Sequence, residues 1–187
     1  NSMPEDRIRD STSLLGSENL AAGGRSVRES VIMLLVDAND RANKSHRKAI
    51  LNPLWRYGAC YYVGTVAEIP GTWVQLFGYS DPDDISEETS TIGDDTVSTG
   101  SEETGTPSTS ASGDFSFMSQ EEKAMIEEIN LMRSDPNGYI KYVDAYVKEV
   151  KKVSVFPDPD LDVATNELKG ILRSIPKLST LKPHKKL

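Results

Sequence analysis

The chain has a single cysteine among 187 residues. A lone cysteine makes no internal disulfide, so a disulfide-stapled scaffold is excluded and stability must come from buried apolar surface. Cys60 lies in the strand-like run YGACYYVGTV and reads as a small buried hydrophobe. No apolar run approaches the roughly 20 residues of a membrane-crossing helix. The N-terminus lacks the apolar core of a signal peptide, so export is expected to be encoded outside these residues. A Gly-rich phosphate loop is missing, as is any Ser-His-Asp order. No catalytic residue is assigned.

Basic residues are absent from one stretch. Residues 81–114 hold ten Asp or Glu and no Lys or Arg. The chain is formally −8, so the rest, with 21 basic against 19 acidic residues, is +2. A body so close to neutral offers no nucleic-acid surface. The acidic tract is otherwise mostly Ser, Thr and Gly, with hardly an apolar side chain, and cannot offset its own ordering entropy. It is expected to be a disordered linker between residues 1–80 and 115–187.

The first segment reads as a loop to about Gly24. Ser26-Val-Arg-Glu29 is a capping box, which predicts a helix from Val27 to about Asp37. A polar loop, ANDRANKS, leads to His46 and a short helix stopped at Asn52-Pro53. Two strands are expected, at about 55–67 and 72–79, turning around Pro70-Gly71. The second segment is helical. Ser119-Gln-Glu-Glu122 is a second capping box, and Met125, Ile129 and Met132 share one face of a helix that stops near Asp135-Pro136. Tyr139, Val143, Tyr146, Val150 and Val153 mark the next helix. Leu168, Ile171, Leu172 and Ile175 mark a third, stopped by Pro176; the tail should be extended or turn-like. Each segment lacks what the other has, so the two are expected to pack on each other.

SENLAAGG, the HRKAILNP run and GTWVQLFGY together resemble the second half of a CAP domain, the SCP-like fold of cysteine-rich secretory proteins, antigen 5 and pathogenesis-related 1 proteins. The cysteine-poor bacterial branch is the nearer likeness. EEKAMIEEINLMRSDPNGY resembles the opening helix of that domain, with Asn130 and Arg133 at its structural polar positions. The resemblance implies an α+β fold, a three-layer α-β-α sandwich. It also implies a permuted order: 1–80 matches the C-terminal half and 115–187 the N-terminal half, with one helix missing between Leu187 and Asn1.

The same resemblance implies a cleft of two histidines and two acids. Glu18 matches one acid, Asp37 falls near the other, and His46 matches the second histidine; the first has no counterpart. Glu18 either lines the cleft or braces the Gly-rich turn, and Asp37 either opposes the helix dipole for a reason or lies on a solvated face. Glu29 is accounted for by its cap. His46 is either a cleft residue or an exposed loop histidine. His184, on the tail, is a candidate replacement for the missing ligand. One imidazole and two carboxylates suit zinc poorly, so a divalent metal at His46 would bind weakly.

Three functions follow. The first is an extracellular or cell-surface binding module for a lipid, a peptide or a surface partner. The second is a metal-dependent hydrolase using His46, Glu18 and Asp37. The third is a structural tandem-repeat segment of an exported protein. A domain-swapped homo-oligomer is a further expectation, because the two half-domains could pair between chains.

Overall fold

The computed structural model describes residues 16–38, 40, 42–79, 115–153, 159–184 and 187. The acidic tract 81–114 and the side chain of Val153 lie outside the described residues. The fold is mixed α+β, with five helices and one four-stranded sheet among the described residues. In chain order these are β1 (Gly16–Ala21), α1 (Val27–Val36), α2 (Ser45–Leu51), β2 (Tyr57–Val66), β3 (Ile69–Gly78), α3 (Gln120–Ser134), α4 (Pro136–Val153), α5 (Pro159–Ser174) and β4 (Lys182–Pro183).

Local signals explain where the helices begin and end. At α3, Ser119 Oγ accepts the Glu122 N–H at 3.2 Å, and the Glu122 carboxylate accepts the Ser119 N–H at 2.9 Å. Both orphan donors of that helix start are thereby satisfied. The box expected at α1 is only half made. Ser26 Oγ accepts the Glu29 N–H at 3.1 Å, but the Glu29 carboxylate turns to the Arg25 N–H, also at 3.1 Å. Pro136 ends α3 and opens α4 at the position where its missing N–H costs nothing.

The sheet order is β1-β3-β2-β4, antiparallel except for β4, which runs parallel to β2. Two expectations fail here. Residues 16–21 are strand rather than loop, because Gly16 through Ala21 pair in unbroken register with Gly78 back to Trp73. Pairing supplied by β3 overrides a sequence poor in β-branched residues. The hairpin turn is also displaced. Val66 pairs with Ile69, and Ala67 and Glu68 take left-handed φ values of 48° and 69° between them. Gly71, expected to make the turn, instead allows close backbone approach: a Cβ there would stand 2.4 Å from the Gly24 carbonyl oxygen.

A two-residue turn of this hand favours Asn-Gly. Each non-glycine residue in it costs about 1 kcal/mol. Replacing Ala67-Glu68 by Asn-Gly is therefore expected to stabilise the protein by about 1 kcal/mol, or roughly 2–4 °C in Tm. A fall in Tm measured by circular dichroism would show that this turn is not strained.

Alternation along the strands separates two faces. Asn19, Cys60, Trp73, Gln75 and Phe77 turn inward and are buried. Leu20 and Tyr61 turn outward and are 57% and 42% exposed. Against the inner face lies α3, whose Met125, Ile126, Ile129 and Met132 are fully buried. Gly58 makes room for this contact, since a Cβ there would stand 3.1 Å from Leu181 and 3.2 Å from Ile126. Helix α1 packs against α2, α3, α4, α5 and β1. Being enclosed, it is apolar around most of its circumference, with Val31, Ile32, Leu34, Leu35 and Val36 all buried. One core cluster joins these residues to Leu168 and Leu172 of α5. A second, smaller cluster on the outer face seats Leu187 on Ala59, with Tyr57 and Leu76 beside it.

Candidate functional site

The end of α1 and the start of α2 build the site. Asp37 caps α1 in a left-handed conformation, φ 49° and ψ 45°, with its N–H donating to the Met33 carbonyl. Lys44, just before α2, is left-handed too, at φ 50°. Its ammonium donates to the Asp37 carbonyl at 2.9 Å. Two strained non-glycine residues thus close one short loop, an arrangement that clusters at functional positions.

Asp37 is 4% exposed, and its carboxylate is fully used. Oδ2 accepts the backbone N–H of His46 at 3.1 Å, and Oδ1 lies 2.8 Å from His46 Nδ1. The same carboxylate therefore orients both the start of α2 and the imidazole ring. Facing a carboxylate oxygen, Nδ1 is the protonated edge of the ring, and Nε2 is the edge left over. Among the described residues Nε2 has no hydrogen-bond partner.

The residues around this pair hold it in place. Asp40 accepts the N–H groups of Asn43 and Ser45 at 3.1 and 3.0 Å and the Ser45 hydroxyl at 2.6 Å. The Ser45 hydroxyl and then those N–H groups pull the Asp40 carboxyl down to about 2. Ser45 Oγ is thereby directed to Asp40, not to the neighbouring imidazole. Arg47 is buried. It donates to the Leu35 and Val36 carbonyls at the end of α1, the latter at 2.8 Å, and to Ala164 of α5 at 3.3 Å. Its Nη1 lies 2.9 Å from Glu167 Oε1, an ion pair without hydrogen-bond alignment. These contacts place a cation at the helix end where Asp37 would otherwise oppose the dipole.

From the sheet side, Asn19 donates to the His46 carbonyl at 3.2 Å and to Gln75 Oε1 at 3.4 Å. Gln75 in turn reaches Met125 Sδ at 3.2 Å. Sequence reasoning assigned no role to Asn19, Gln75 or Arg47. The legible signal was the presence of uncharged amides on the inward phase of otherwise core-facing strands.

His46 and Asp37 form part of the wall of a pocket of about 180 Å³. Its remaining lining residues are apolar: Leu20 and Ala21 at the end of β1, Ala22 just after it, Met33 and Leu34 from α1, and Ala38. Glu18 does not join this wall. It is half-buried, and strand alternation turns it to the sheet face opposite Asn19. His184 lies elsewhere, edge-on to Tyr57 at 5.6 Å, with its N–H on the Gly58 carbonyl. Among the described residues, no three His, Cys, Asp or Glu side chains converge in a way that could hold a metal ion. With Nδ1 engaged by Asp37, the expected zinc ligand set is reduced to one ring nitrogen, and the residues present do not fit that metal.

Asn130 ties the C-terminal tail to α3, and Arg133 bridges the two segments. Asn130 exchanges two hydrogen bonds with Leu181, donating to its carbonyl at 2.9 Å and accepting its N–H at 2.6 Å. Arg133 is fully buried and donates to the carbonyls of Ile50, Asn52, Trp55 and Ser179 at 2.7 to 3.3 Å. Burial, then repulsion from Arg56, pulls its pKa down to about 10. Cys60 is buried, and desolvation pushes its thiol up, away from the reactive thiolate.

No family model, curated protein or solved structure matches this chain.

Proposed function

We propose that this chain is a CAP-type binding module that holds a ligand beside His46 and performs no chemistry on it. The observation that carries the reading is the Asp37–His46 pair set in the wall of a small open pocket whose other lining residues are apolar. Such a pair fixes the orientation of the imidazole ring. Hydrolysis needs more: a nucleophile or an activated water within reach of the base. The neighbouring hydroxyl, Ser45, is committed to Asp40. The metal that could activate a water lacks its ligands among the described residues.

The three-layer α-β-α arrangement belongs to the same proposal. Its support is the apolar outer face of the sheet, where Leu187 already sits on Ala59. The permuted order is supported by the way helices of 115–187 and strands of 1–80 share one core. An extracellular or cell-surface location follows from the resemblance alone.

Zinc titration separates binding from hydrolysis. A site with a micromolar Kd would stabilise the protein by about 2.7 kcal/mol at a hundredfold excess of zinc. That is roughly 5–10 °C in Tm for a chain of this size. The expected result is no shift against a chelator control, and no turnover of ester or peptide substrates with zinc present. A shift of that size, or turnover, abolished in His46→Ala would replace the binding reading with a hydrolytic one.

A further inference from the structure

We draw no further inference here: the strongest candidate, the apolar row Leu20–Val74–Tyr61 on the outer face of the sheet, continued by the exposed Val63, Val66 and Ile69 of the β2–β3 hairpin, is an open sheet face, and nothing in the structure shows what covers it.

Discussion

Neither residues 1–80 nor residues 115–187 are expected to unfold cooperatively alone, and mixing them in equal amounts should restore one cooperative transition. The reason is shared burial. The core joins Val31, Ile32, Trp73 and Phe77 to Met125, Ile129, Leu168 and Leu172. Strand β4 completes the sheet only by pairing with β2, and Leu181 meets Gly58 where no Cβ intervenes. Exposed links cross the same boundary, such as Arg28 to Glu128 at 2.7 and 2.9 Å, but such pairs are worth little. What counts is that segments of this size bury too little surface by themselves. Thermal melts followed by near-ultraviolet circular dichroism give the readout. A cooperative melt of isolated 115–187, unchanged by adding 1–80, would contradict the shared core.

Arg133→Met should destabilise the intact chain more than any other single change proposed above. The guanidinium is fully buried and satisfies four carbonyls drawn from two distant stretches, Ile50 to Trp55 and Ser179. Its charge is expensive to bury, which is why its pKa falls. It is tolerated because the fork of donors matches carbonyls that would otherwise be orphaned. Methionine fills the volume and leaves those acceptors unpaired, at about 1–3 kcal/mol each. The losses are not additive, so a total of about 4 kcal/mol is expected, roughly 10 °C in Tm. Arg133→Lys distinguishes charge from geometry. One ammonium cannot span both stretches, so lysine should lose at least half as much. A lysine variant as stable as the native chain would show that charge alone suffices.

Asp37 and His46 stand nine residues apart, and the resemblance named both without giving their contact at 2.8 Å. Glu18 was grouped with them because it lies in the same motif as Asn19. The strand's alternation separates the two, turning Asn19 toward His46 and Glu18 toward the other face. A loop reading of residues 16–21 could not see this, since a loop has no fixed phase. Arg47 was hidden for a different reason. It sits among Lys44 and Lys48, and nothing local shows that α5 covers it.

By itself, the sequence determined whatever depends on contacts within a few residues. Ser26 and Ser119 start helices because their hydroxyls reach N–H groups three residues on. Pro136 and the Asn52-Pro53 pair stop them because a proline cannot continue the hydrogen-bond ladder. The spacing of apolar residues in α3 marked the face that is buried. The tertiary structure alone decided the rest: that residues 16–21 are a strand, that the hairpin turns at Ala67-Glu68, and that Arg133 clamps carbonyls up to 83 residues away. The strand and the clamp are set by partners far along the chain, and the turn by the register of the whole β2–β3 pair. The free energy of such a contact depends on what the fold brings opposite, and no local pattern carries that information.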